Sequence, residues 1–260
     1  MNPILILAET GRKNAKQRST NSMSFMSPAT KQITILLADD HTIVRQGLRL
    51  LIESAEDLKV IGEVENGREA VQMAKKLKPD VVVLDVVMPT LNGVEATRQI
   101  TKEVPSTKVL ILSSYSDDER VLQLIEEGAT GYLVKQTAGN DLLIAIREAY
   151  KGNAFFSPAI SRRLLQQCRE TFANGGLVKR RGNILTTREA EVLQLIAEGH
   201  PNKQIADQLT ISIKTVEKHR QQVMNKLNIH DIAGLTRYAV SKGMIETNAA
   251  INSIHFPERH

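Results

Sequence analysis

From Ile33 onward, short runs of β-branched and aliphatic residues alternate with amphipathic stretches of helical period. The apolar runs fall at 33–38, 59–64, 81–85, 108–113 and 131–135, and the helical stretches at 42–54, 67–77, 93–103, 117–127 and 139–151. Five such repeats with short connections predict an α/β doubly wound five-stranded parallel sheet with helices on both faces. Val81-Val82-Val83-Leu84 is continuously apolar, as a central strand covered on both faces requires. In the segment 42–54, Val44, Leu48, Leu51 and Ile52 recur at helical spacing, with Arg45, Arg49 and Glu53 elsewhere.

The pattern changes after Lys151. Ser157-Pro158 opens a further helix over 158–173, with proline at its first position, and Asn174-Gly175-Gly176 ends it. The stretch to Asn183, with Lys179-Arg180-Arg181-Gly182, reads as a flexible basic linker. Thr186 and Glu189 then form a capping box ahead of Val192, Leu193 and Ile196, and Gly199 stops that helix. Short helices at 202–209, 213–227 and 231–242 make this last part all-α. Residues 1–31 show no apolar period and are expected to be disordered, with Met23 and Met26 as alternative starts. The expected division is 1–31 extension, 32–152 first domain, 153–183 linker with a helix, 184–246 small helical domain and 247–260 tail.

Charge separates the two halves. Residues 31–152 hold 15 Lys and Arg against 19 Asp and Glu, a net −4, whereas residues 179–260 hold 12 against 8, a net +4. An acidic half followed by a basic half suggests a ligand or regulatory domain joined to an anion-binding one. The single cysteine, Cys168, excludes an internal disulfide framework and fits a reducing compartment. Its expected role is a small side chain packed on a helix. No run of 18 apolar residues occurs and the opening Pro3–Ala8 stretch is too short for a secretory signal, so the expected location is cytoplasmic, away from membranes.

Candidate chemistry sits at the strand ends. Asp39 and Asp40 follow the first run, Asp85 ends the third, Ser113 the fourth and Lys135 the fifth. In an open parallel sheet the carboxyl ends of the strands form the ligand crevice, so these residues would converge on one acidic pocket. Adjacent carboxylates repel and call for a cation. Mg²⁺ suits few carboxylates because it keeps several waters. In-line phosphoryl transfer needs mainly positioning and charge stabilisation, so a bare carboxylate can be the nucleophile. Each residue alone is more often a cap or a solvated side chain; their joint placement carries the argument.

Residues 33–151 resemble the receiver domain of two-component response regulators, on Ala38-Asp39-Asp40, Asp85-Val86-Val87-Met88-Pro89, Ser113 and Gly131-Tyr132-Leu133-Val134-Lys135. The resemblance implies that Asp85 is the phosphoacceptor. It implies that Asp40, Asp85 and the Val87 carbonyl ligate Mg²⁺, with Asp39 acting directly or through water. Ser113 and Tyr132 would be switch residues and Lys135 would contact the phosphoryl group. Gln136 departs from a pattern in which proline often follows the lysine.

On a helix over 213–227, Ile213, Val216, Val223 and Leu227 fall on one side, a core-facing stripe. Lys214, Glu217, Lys218, Gln221 and Asn225 fall opposite, the long polar side chains that major-groove reading uses. His219 and Arg220 flank the stripe, where phosphate contact or partial burial is expected. The stretch Asn202–Leu209, followed by Ser212–His219, resembles the helix-turn-helix of LuxR-type regulators, a likeness covering 184–245. It adds Lys203, Ser212 and Thr215 to the expected DNA contacts; Pro201 departs from the usual Ser or Thr cap. Together the likenesses point to a response regulator of the NarL/FixJ class. Its expected partners are a sensor histidine kinase, promoter double-stranded DNA and a second copy of itself when active. It would accept a phosphoryl group without being a turnover enzyme. The competing enzyme class, aspartyl-phosphate phosphatases, wants Asp-x-Asp after the first strand, which this chain lacks. A second rival is a transcription factor whose first domain only dimerises, independently of phosphorylation.

Overall fold

The computed structural model describes residues 31–114, 118–137, 139–173 and 184–245. The expected extension up to residue 30 with its alternative starts, the basic stretch 179–182 and the tail 247–260 lie outside the described residues.

The first half alternates strand and helix in the order β1 (Ile33–Ala38), α1 (Thr42–Glu53), β2 (Leu58–Val64), α2 (Gly67–Leu77), β3 (Val81–Leu84), α3 (Gly93–Glu103), β4 (Lys108–Ser113), α4 (Asp118–Glu126), β5 (Gly131–Val134), α5 (Gly139–Lys151). A sixth strand, β6 (Phe155–Phe156), runs parallel to β5, so the sheet order is β2-β1-β3-β4-β5-β6, with all strands parallel. The expected five-stranded sheet thus gains a sixth member. Two residues are too few to display a period.

The chain moves outward from β1 to β2 and returns to β3 on the other side of β1. The strand order reverses there, and the crevice between the ends of β1 and β3 opens at that reversal. Register fixes its walls: Ala38 pairs with Leu84, and the Asp85 N–H donates to the Ala38 carbonyl at 2.9 Å. Asp39 and Asp85 are therefore neighbours by strand pairing.

Alternate residues of each strand feed opposite faces. Leu36, Val82, Val109 and Ile111 pack with Ala70, Ala74, Ala96 and Ile100 beneath α2 and α3. Ile35, Leu37, Val81, Val83, Leu110 and Leu112 pack with Ile52, Leu142, Ile146 and Ala149 beneath α1 and α5. Each fully buried aliphatic side chain stabilises the fold by about 1.5–3 kcal/mol relative to exposure.

Helix α6 (Pro158–Ala173) follows and carries Cys168; the second half is α7 (Thr187–Ala197), α8 (Asn202–Leu209), α9 (Ile213–Leu227) and α10 (Ile232–Ser241). Thr186 caps α7 in the expected capping box with Glu189, and Gly199 leaves the helix at φ 86°. A separate core of Val192, Leu195, Ile205, Leu209, Val216, Val223, Leu235 and Ala239 joins the four helices. Among the described residues no helix is long and apolar enough to cross a membrane.

Candidate functional site

The β1–β3 crevice collects the acidic residues. Asp39 and Asp85 are buried, Asp40 keeps 32% of its side chain exposed, and oxygens of all three lie with a His41 nitrogen within 4.8 Å of one another. Lys135 opens a short 3-10 turn after β5, one residue beyond the strand expected to include it. Its Nζ lies 2.6 Å from Asp39 Oδ2 and 2.7 Å from Asp85 Oδ2. The other Asp85 oxygen accepts the Val86 N–H at 2.7 Å.

Burial pushes the Asp85 carboxyl up from 3.8 to about 6, even though the Lys135 charge pulls the other way and Asp39 adds repulsion. Burial opposes the Lys135 ammonium as well, but the charges of Asp85 and Asp39 outweigh it and hold its pKa above the ordinary lysine value. One ammonium among three carboxylates leaves negative charge uncompensated, and the donors are all hard oxygens apart from His41. This donor set fits Mg²⁺. Ser113 is fully buried at the end of β4, and its strand partner Val134 immediately precedes Lys135. Tyr132 is fully buried, in the core cluster that also holds Ile111, Val121, Leu124 and Ile160. Val87 is buried in the loop after Asp85.

Two neighbours of the pocket escaped the sequence reading. Arg45 was expected on the polar side of α1 yet is buried: its guanidinium donates to the Asp39 carbonyl at 2.6 Å and to Glu65 Oε1 at 2.7 Å, with Glu63 3.4 Å away. It ties the acidic turn to the end of β2. His41 Nδ1 lies 2.9 Å from Asp40 Oδ1, and the His41 N–H donates to Asp39 at 2.9 Å. The adjacency of His41 to the acidic pair was the available signal.

The loop after Asp85 is tightly built. Gly93 opens α3 and its N–H donates to the Val86 carbonyl at 2.7 Å; a Cβ there would run into the Asp85 carbonyl. Thr90 adopts φ 68°, a left-handed conformation that costs a non-glycine residue about 1–2 kcal/mol. This loop also meets α7. The Thr90 N–H donates to Glu198 Oε1 at 3.0 Å and the Asn92 N–H to Gln194 Oε1 at 2.8 Å, while Gln194 Nε2 donates to the Met88 carbonyl at 2.9 Å.

In the helical half, Ser212 caps α9 by accepting the Thr215 N–H at 3.1 Å, and the two hydroxyls lie 2.8 Å apart. Lys214, Glu217, Lys218, Gln221 and Asn225 all face outward, as does Lys203 on α8. Gln221 and Asn225 are joined by a 2.9 Å hydrogen bond. Val216 and Val223 are buried as expected, but Ile213 is 45% exposed. As the first residue of α9, directly after the cap, it lies beyond the end of the core. Arg220 is half-buried and donates to Asn202 Oδ1 at 2.8 Å, so it also serves the α8–α9 junction; His219 is half-buried, its Nδ1 without a hydrogen-bond partner among the described residues. Pro201 precedes α8 without a side-chain cap.

A parallel α/β domain with an acidic pocket at its strand-order reversal, joined to a helix-turn-helix that presents a polar helix, defines a signal-receiving DNA-binding regulator. The model of the response regulator receiver domain matches residues 35–147, and that of the luxR family of bacterial regulatory proteins matches residues 183–239. The chain is 40% identical over 207 residues to the transcriptional regulatory protein LiaR of Bacillus subtilis, covering 80% of this chain and 96% of that one. It is 35% identical to the oxygen regulatory protein NreC of Staphylococcus carnosus, covering 82% and 99%. Among solved structures, a LuxR-family two-component response regulator from Aurantimonas sp. aligns with TM-score 0.51 and 33% identity over 53% of this chain and 98% of that one. The response regulator RcsB in complex with DNA aligns with TM-score 0.51 and 29% identity over 81% and 99%. The chain belongs to the two-component response regulators that couple a receiver domain to a LuxR-type DNA-binding domain, and it is a transcriptional regulator.

Proposed function

We propose that Asp85 accepts a phosphoryl group from a sensor histidine kinase and that this modification raises the affinity of the α9 face for promoter DNA. The observation that carries the reading is the shared ammonium: Lys135 Nζ bridges Asp39 and Asp85 within a pocket of three carboxylates. An Asp85 carboxylate oxygen attacks phosphorus as the bond to the donor nitrogen breaks, and the departing imidazole takes up a proton. Lys135 then follows the negative charge from the carboxylate to the phosphoryl oxygens, and Ser113 donates its hydroxyl to one of them. Asp39, Asp40, Asp85 and the Val87 carbonyl are the groups that would hold Mg²⁺. When bound, that ion neutralises charge on the phosphoryl oxygens.

The added charge of about −1.5 to −2 draws Ser113 toward the phosphoryl group, and Tyr132, one layer beneath, repacks. Moving the equilibrium from 1:99 to 99:1 takes about 5.5 kcal/mol of preference for the active state. The residues 32–152 and 184–246 act as receiver and reader, in the cytoplasm. Because Lys214, Glu217, Lys218 and Gln221 are already exposed, the switch has no need to uncover α9. Pairing two copies on adjacent half-sites is the step it promotes. The assay is incubation of the full chain with Mg²⁺ and a small phosphodonor, followed by intact mass. A single phosphoryl adduct on the wild type, absent from Asp85→Asn, is expected; no adduct, or one that survives the substitution, refutes the assignment.

A further inference from the structure

Gln194 belongs to the DNA-binding half, yet its fully buried carboxamide is spent on the receiver. Its Oε1 accepts from both the backbone N–H and Nδ2 of Asn92, at 2.8 and 3.0 Å, and its Nε2 donates to the Met88 carbonyl at 2.9 Å. The same Nε2 donates to Glu198 Oε1 at 2.8 Å, and Glu198 accepts the Thr90 N–H. Backbone groups of Met88, Thr90 and Asn92, alternate residues of one loop, are therefore all held by two side chains of α7 and its C-terminal cap. A polar bridge from Gln99 to Glu191, at 3.2 Å, ties α3 to the same helix one turn earlier.

That loop begins at Asp85 and contains Val87. We infer that Gln194 and Glu198 are positioning residues for the acceptor site, so that divalent-cation binding at Asp85 depends on α7 being docked against the 86–92 loop. The inference rests on the reading of Asp85 as phosphoacceptor and gives the reader domain a part in the receiver's chemistry. A loop whose backbone partners are already fixed loses less freedom when a cation takes hold of it. Removing the fixing contacts transfers that loss to the binding step. Coupling of this kind is reciprocal, so a bound cation strengthens the docking of α7 by the same factor. The docked arrangement leaves the DNA-reading face of α9 open, so cation binding and DNA reading do not compete for α7.

The test uses the full chain and two variants. Gln194→Met keeps length and volume and deletes the three hydrogen bonds that Gln194 makes to Met88 and Asn92; Glu198→Ala removes the Thr90 contact from a helix end without opening the core. Titration calorimetry with Mg²⁺ alone is expected to give about three- to tenfold weaker binding in each variant, the range that loss of one or two net hydrogen bonds supports. Hydrogen exchange at 86–92 should quicken in both variants. Mg²⁺ should slow exchange in 187–197 of the wild type and leave it unchanged in Gln194→Met, a response that a purely structural role would not produce. Should Gln194→Met unfold the helical half, Glu198→Ala decides by the same readouts. Folded variants that bind Mg²⁺ as the wild type does, or whose loop loosens with no loss of Mg²⁺ affinity, overturn the inference. A wild type that neither binds Mg²⁺ nor takes up phosphate refutes the acceptor assignment itself, and this inference falls with it.

Discussion

Replacing Asp85 with asparagine should stabilise the metal-free protein, and by an amount that depends on pH. The Asp85 carboxyl is buried, and its pKa stands near 6 in the fold against 3.8 ordinarily. A group whose acid form is favoured by folding destabilises the fold once ionised. Here the penalty is absent below 3.8, grows between 3.8 and 6, and is complete above 6. Roughly two pKa units at about 1.36 kcal/mol each give about 3 kcal/mol at pH 8, of which about half remains at pH 5. Asparagine keeps the shape, has no charge to desolvate, and leaves Lys135 paired with Asp39. Thermal unfolding of the receiver in chelator should show a midpoint about 10 °C higher for Asp85→Asn at pH 8, a clearly smaller gain at pH 5, and a gain that shrinks when Mg²⁺ is added at pH 8. An equal gain at both pH values, or none at pH 8, would refute the claim that burial outweighs the Lys135 ion pair at the Asp85 carboxylate.

Three further outcomes follow from other parts of the structure. Gly93→Ala pushes a Cβ into the Asp85 carbonyl, so denaturant titration should show a loss of about 3 kcal/mol, with slower phosphoryl uptake. Thr186→Ala removes the α7 capping box and should cost the helical half about 1 kcal/mol in the same assay. Footprinting should separate the α9 residues. Lys218→Ala is expected to relax sequence preference, whereas Arg220→Ala, half-buried against Asn202, should weaken binding evenly across sequences; unchanged footprints for both would refute the choice of face.

Much of the pocket was legible because topology does the placing. Continuous apolar runs such as Val81–Leu84 mark strands buried on both faces, and parallel strands with helical crossovers put Asp39, Asp85, Ser113 and Lys135 at one edge of the sheet. What stayed hidden needs distance rather than order. Arg45 reads as a polar-face residue until β2 is seen to bring Glu63 and Glu65 beside α1. Gln194 reads as one polar position in an apolar helix, because nothing in the sequence announces that Asn92, about a hundred residues earlier, will meet it. Ile213 follows the helical period but sits beyond the end of its core, where period and burial part company.

The central claim is that phosphate on Asp85 controls DNA reading by α9. The most direct measurement compares affinity for a duplex selected from random sequence, using full chain with and without stoichiometric phosphorylation confirmed by mass, beside Asp85→Asn treated identically. Tighter binding of the phosphorylated wild type alone is the expected result. Equal affinity of the phosphorylated and unphosphorylated wild type, with the adduct verified on Asp85, would contradict the account.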